Sequence, residues 1–380
     1  MNNLSPRELE RLIFTVFAPT EADRTLLILV DVPNAAAPDN AAWRDRRMIA
    51  HEWHRALTSV RYQLGFQNLK TLYYENVESN NADLPELCYE YDASCEELHA
   101  EKLATSGRSC PLNAVLAQTD IVIAPTEFSA TAPLKLLARQ YGFRAATLPG
   151  FSREMISALG LDYVKIHERV MFFKQRLDDA VGIKVVLSDG SREYASSFDL
   201  RFRTAHASSG LIRERGTAGN LPSGEAYIVP NEGEKEQSQS EGLLPVQFGE
   251  EVVVFKIEQN RAIDVLSKGS QSENQLRMLQ EEPAYGNIAE VGIGVLGAFG
   301  VTAVGNTLLD EKLGLHIAFG RSDHFSGITG PSTFKNPKRV VHIDWVYVPS
   351  VQPKIQVREV RLIYSGKADE VTMKNGKFLV

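Results

Sequence analysis

Cysteine is scarce in this chain. Three thiols, Cys88, Cys95 and Cys110, occur in 380 residues. An odd, sparse set cannot pair off completely and suits free thiols in a reducing cytoplasm. No C-x-x-C pair occurs, so a zinc knuckle is not expected. No stretch approaches the ~20 apolar residues that a membrane-spanning helix needs. The opening MNNLSPRELERL has no basic segment followed by an apolar one, so no signal peptide is expected. Positive charge is in deficit, with a formal net charge of −7, and no lysine and arginine run is interleaved with aromatics. These absences argue against nucleic acid and membrane as partners and leave a small substrate as the expectation.

Phosphate-binding signatures are missing as well. The first strand-like run, TLLILVDVP (25–33), leads into DVPNAAAPDN rather than G-x-G-x-x-G, so the tight glycine turn that admits a pyrophosphate is absent. No Walker A sequence occurs. The HEWHRAL segment places His51 and His54 three apart on a helical pattern, one residue short of the H-E-x-x-H spacing, and reads as a structural pair. His99, His167 and His206 stand alone in sequence and read as ordinary surface or core histidines.

What is present divides near residue 180. The span 1–180 alternates helix and strand patterns, predicting an α/β, Rossmann-like domain with a parallel sheet covered by helices. Ser5, Pro6 and Glu8 predict a capped helix start. Strands are expected at 25–33, 68–76, 119–125 and 143–149, with helices at 42–61, 132–142 and 163–181. The span 181–380 predicts an α+β, strand-rich domain. It opens with a hairpin at Asp189-Gly190 and carries a polar segment at 232–242 that reads as a hairpin tip.

The second half concentrates carboxylates and imidazoles in apolar or small-residue surroundings. GNLPSGEAYIVP holds Glu225, GNIAEVGIG holds Glu290 among residues that allow close backbone approach, and GNTLLDEKLGLHIAFG holds His316. VVHIDWVYV (340–348) places His342 and Asp344 on one face of a strand. Each alone has a structural explanation, as a turn carboxylate or a hydrogen-bonded core histidine. Together they favour a site, because buried carboxylates and imidazoles are costly unless paired or bound to metal. Three carboxylates and two imidazoles suit Zn²⁺, Co²⁺ or Mn²⁺ rather than Ca²⁺. Five ligands exceed the needs of one catalytic zinc and suit two ions ~3.5–4 Å apart, sharing a carboxylate and a water.

The blocks NLPSGEAYIVP, NTLLDEKLGLHIAFG and VVHIDWVYV, in that order, resemble the motifs of the M29 metallo-aminopeptidases, the aminopeptidase T or AmpS-like group. SFDLRFRT (197–204) resembles the family's T-D-L-x-V strand, so the likeness runs from about 197 to 350. The resemblance implies a dinuclear site of Glu225, Glu290, His316, His342 and Asp344. In it Glu290 bridges, His342 and Asp344 hold one ion, and Glu225 and His316 hold the other. It implies Glu225 and Glu290 as the catalytic carboxylates, hydrolysis of N-terminal residues from short peptides, and a homodimer. The chain departs from the family at Asp323, where a tyrosine is usual. Asp323 or the following His324 is then a substitute ligand or hydrogen-bonding group, or part of a plain loop. The lead-in FKNPKRVVHID is altered as well.

Three other functions stay open. Dihydroxypyridine ring-cleaving dioxygenases look like relatives of this family and use a single Fe(II) held by two histidines and one carboxylate. His342 and Asp344 would supply two of those ligands, and Glu290 stands where that group has its third, a histidine. A hydrolase of small amides is a sibling reading, and a binding protein with a degenerate site is the remaining one.

Overall fold

The computed structural model describes residues 3–92, 94–336 and 339–379. Contacts divide the chain into two units. One comprises residues 1–167 and 210–223, and the other 168–209 and 224–380. The division falls within the helix Tyr163–Asp179, and residues 210–223 return to the first unit.

The first unit is the α/β one. Its sheet runs in the order Ala218–Asn220, Arg144–Thr147, Ile121–Ala124, Thr25–Val32, Asn68–Glu75, Leu87–Glu90 and Arg108–Pro111. The first five strands are parallel, and the last two are joined antiparallel. Thr25–Val32 is buried at every position after the first, as a central parallel strand covered on both faces must be. Helices Ala41–Val60 and Thr131–Tyr141 supply crossovers. The expected helix start is present: Glu8 N–H donates to Ser5 Oγ, and Ser5 N–H donates to Glu8 Oε2. The two strands at the centre of the sheet, Thr25–Val32 and Ile121–Ala124, mark its switch point, where a doubly wound sheet commonly takes a ligand. Here the buried Asp31 carboxylate accepts from the Glu127 N–H at 2.8 Å and the Phe128 N–H at 3.1 Å. His54 Nδ1 lies 2.9 Å from Thr71 Oγ1, and His99 caps the helix Ala100–Ser106.

The second unit contains two antiparallel sheets. Eight strands run in the order Arg261–Val265, Glu251–Glu258, Glu241–Phe248, Glu193–Asp199, Ala180–Ser188, Gln356–Tyr364, Glu370–Lys374 and Lys377–Phe378. Five strands run in the order His342–Val346, Leu315–Gly320, Ile288–Gly294, Glu225–Ile228 and His206–Ser208. The two sheets meet through rings: Phe319 packs edge-on to Phe255 at 5.1 Å, and Trp345 lies 4.9 Å from Phe248. Phe319 and Trp345 therefore spend one face of the five-stranded sheet on the core. By the two-residue alternation, His316, Ala318, His342 and Asp344 occupy the other face.

The polar segment 232–242 is not a hairpin tip. It connects Glu225–Ile228 in the five-stranded sheet to Glu241–Phe248 in the eight-stranded one. Its composition hid a buried anchor. Glu232 Oε1 accepts from Asn287 Nδ2 and Ser322 Oγ, both at 2.7 Å. Its Oε2 accepts from Ile328 N–H at 2.6 Å and pairs with Arg203 at 3.1 Å.

Candidate metal centre

Register places the site. Glu225 lies opposite Gly294, Gly292 opposite His316, His316 opposite Val346, Ala318 opposite Asp344, and Gly320 opposite His342. A bulge between Ile288 and Glu290 sets Glu290 against Ala318. Small residues thus alternate with ligand-type residues on one face. A Cβ on Gly292 would lie 2.0 Å from His316 Nε2, so the imidazole occupies the hollow that this glycine leaves. The small residues around Glu290 serve this close approach.

The five residues form two groups that share Glu290. Glu225, Glu290 and His316 each offer a donor atom within 4.8 Å of the others, and so do Glu290, His342 and Asp344. His316 Nε2 stands 2.9 Å from Glu290 Oε1 and 3.5 Å from Glu225 Oε2. His342 Nε2 stands 3.7 Å from Glu290 Oε2 and 3.5 Å from Asp344 Oδ1. Glu225, Glu290 and His316 are buried, and His342 and Asp344 partly so.

Three observations fit this set to a divalent ion. His342 Nδ1 lies 2.7 Å from the Arg321 carbonyl and His316 Nδ1 lies 3.4 Å from the Gly314 carbonyl. Donation from Nδ1–H to a carbonyl leaves an Nε2 lone pair facing the cluster, a common support for ligating imidazole. Glu225 Oε2 is buried and has no hydrogen-bond partner, which is costly unless something in the cluster takes its lone pair. Finally, the carboxylates demand positive charge. Burial works against charged His316, but Glu290, Glu225 and Asp344 outweigh it and hold the imidazole up to about 9. Burial likewise opposes charged His342, and Asp344 and Glu290 push it up to about 10. Asp344 falls well below the ordinary carboxylate range, because His342 outweighs its burial. Burial raises Glu290 despite its bond to His316.

Two neighbours carried no separate signal in the motif reading. Lys312, 1% exposed, donates from Nζ to Glu225 Oε1 at 2.7 Å and to Glu311. Burial lifts the Glu311 carboxyl to about 8 although Lys312 opposes this. His206, read from sequence as an ordinary histidine, stacks on Tyr227 at 5.2 Å. Tyr227 follows Glu225 by two positions and so shares its face. Phe325 closes the wall, 4.8 Å from Tyr227 and 5.5 Å from His342.

Asp323 and His324 lie outside both donor groups. Asp323 is exposed and pairs with Arg321 at 2.5 Å. The His324 ring lies 5.2 Å from that of His342, and burial together with His342 and Arg321 lowers it to about 4. Within FKNPKRVVHID, Pro337 and Lys338 lie outside the described residues. The same unit contains a cavity of about 540 Å³, lined in part by Arg169, Leu313, Tyr347, Arg358 and Phe378, but none of the five donor residues lines it.

No protein-family model matches the chain, and no curated protein matches its sequence. Solved structures do. A 2,5-dihydroxypyridine dioxygenase from Pseudomonas putida KT2440 is 15% identical with a TM-score of 0.62, covering 99% of this chain and 98% of that one. Wild-type AmpT from Thermus thermophilus is 15% identical with a TM-score of 0.56, covering 98% of this chain and 99% of that one. At this identity the likeness establishes a shared two-unit fold, an α/β unit followed by a strand-rich one.

Proposed function

We propose that this chain is a metalloenzyme and, within that class, a metal-dependent aminopeptidase that removes N-terminal residues from peptides. The carrying observation is that Glu290 belongs to both donor groups, as a carboxylate between two ions would. The AmpT likeness and the sequence blocks support the same reading. A bound pair of divalent ions supplies a water of lowered pKa and polarises the scissile carbonyl. Around it, Glu225 or another carboxylate of the cluster would relay the proton to the leaving amine. Tyr227, His206 and Phe325 offer an aromatic wall for an apolar side chain. Fixed Nδ1 contacts hold His316 and His342 in the orientation that binding requires.

A second reading has its own support. The same aromatic wall suits stacking of a planar ring, and the dioxygenase likeness spans the chain. That reading uses one Fe(II) and oxygen rather than two hydrolytic ions.

Metal analysis with paired assays separates them. Zn or Co loading together with hydrolysis of an aminoacyl-p-nitroanilide is the expected result. Fe(II)-dependent oxygen uptake with a hydroxypyridine and no hydrolysis overturns it in favour of the second. Glu290→Ala and His342→Ala should each lose metal and at least about 100-fold in activity, since metal and acid–base contributions vanish together. Full activity in either variant removes the assignment.

A further inference from the structure

Among the described residues Lys312 is the one lysine side chain paired with the site's carboxylates, and its place is built by backbone packing. A Cβ on Gly294 would lie 2.2 Å from the Lys312 carbonyl carbon and 2.5 Å from the Glu311 carbonyl oxygen. The short turn Glu311–Leu313 therefore rests directly on the strand at Gly294. Gly294 is paired in register with Glu225. The lysine consequently starts from a point beside Glu225, and its ammonium reaches Glu225 Oε1 at 2.7 Å with 1% of the residue exposed. Glu311 takes a second of its protons. No solvent screens this charge, so its field acts at close range on anything bound at Glu225.

The two donor groups are thereby made unequal. Glu225 has one oxygen committed to Lys312 and one, Oε2, left toward His316. Among the described residues no lysine forms an ion pair with Glu290, His342 or Asp344, and Lys312 acts on Asp344 only at longer range. A divalent ion held by Glu225, Glu290 and His316 must share Glu225 with an ammonium, whereas an ion held by Glu290, His342 and Asp344 need not.

We propose that Lys312 is a fixed internal cation that confines Glu225 to a single donor oxygen and so gives the chain one tight divalent-metal position, at Glu290, His342 and Asp344, and one weak position, at Glu225, Glu290 and His316. Lys312 is a positioning residue in this arrangement. It sets which position fills first and makes occupancy of the second depend on free metal concentration.

The proposal rests on the metalloenzyme reading, and calorimetric titration of the chelator-stripped full chain with Zn²⁺ or Co²⁺ tests the two separately. The expected wild-type result is one tight equivalent and a second at least about tenfold weaker. His342→Ala should remove the tight equivalent. Lys312→Met, which keeps most of the side chain's length without its charge, should tighten the second equivalent at least about tenfold and change the first by clearly less, so that the gap narrows. Lys312→Arg, which keeps the charge, should retain the gap and serves where Lys312→Met does not fold by circular dichroism. Two equivalents of equal affinity in the wild type, or an unchanged gap in folded Lys312→Met, overturn the proposal while sparing the metalloenzyme reading. So does a closed gap in folded Lys312→Arg. No binding of either ion, or of Fe²⁺ tested anaerobically, overturns both.

Discussion

Glu232 illustrates how a single buried carboxylate can organise a loop it does not belong to. Its side chain is 2% exposed and faces Arg203, itself 7% exposed. The four contacts to Asn287, Ser322, Ile328 and Arg203 satisfy both oxygens, so the cost of burial is offset by charge-assisted bonds. Two of these partners, Ser322 and Ile328, bound the segment that presents Phe325 and His324 beside His342. Removing the carboxylate takes the acceptor from the Ser322 hydroxyl and the Ile328 N–H, while Arg203 keeps Glu234 at 2.8 Å and Asn287 keeps the Gly320 carbonyl at 2.9 Å. Glu232→Ala should therefore cost about 2–4 kcal/mol in urea unfolding. Glu232→Gln keeps the shape but replaces an acceptor by a donor, and should cost less, about 1–3 kcal/mol. Equal stability of both variants and the wild type would remove Glu232 from this role.

At the scale of elements, strand register decides what the site can be. Glu290, Gly292 and Gly294 alternate along one strand face, and each glycine admits a different neighbour: the His316 imidazole over Gly292, the Lys312 backbone over Gly294. Gly292→Ala should leave the sheet folded, because the obstructed group is the end of a side chain that can turn. Turning moves Nε2 away from Glu290, so metal affinity should fall about 10–100-fold, the usual consequence of disturbing a ligand's support. Unchanged affinity with unchanged circular dichroism would show that His316 is not a ligand. The same strand shows what was legible beforehand. Continuous apolar runs at 25–33 and 119–125 revealed the parallel strands, because burial on both faces leaves little room for polar residues. His342 and Asp344 were legible as a two-residue alternation. The segment 232–242 misled because local composition reports average exposure, whereas the partners of Glu232 come from residues 203, 287, 322 and 328. His206 and Lys312 were invisible for the same reason: their significance comes from pairing to Tyr227 and Glu225 across strands or a turn, which no local window contains.

For the whole molecule, the charge of the site links metal to stability in one unit. Glu225 and Glu311 pair with Lys312, and His316 and His342, beside Glu225, Glu290 and Asp344, are drawn toward their protonated forms to supply the remaining positive charge. On the proposed metalloenzyme reading, a divalent ion supplies that charge more directly and binds only the folded arrangement. At a concentration about 100-fold above its dissociation constant, such a ligand adds about 2.7 kcal/mol to stability. That gain belongs to the unit whose sheet carries the ligands. Hydrogen exchange read by mass spectrometry, with zinc and then with a chelator, should show metal-dependent protection along Leu315–Gly320 and His342–Val346. Peptides covering Thr25–Val32, in the other unit, should exchange alike in both conditions. Protection that rises equally in the two strands of the site sheet and in Thr25–Val32 would mean that the metal acts by some route other than these ligands. Protection confined to the site sheet and abolished by Glu290→Ala would tie the stabilisation to the shared carboxylate, since among the described residues it alone belongs to both donor groups.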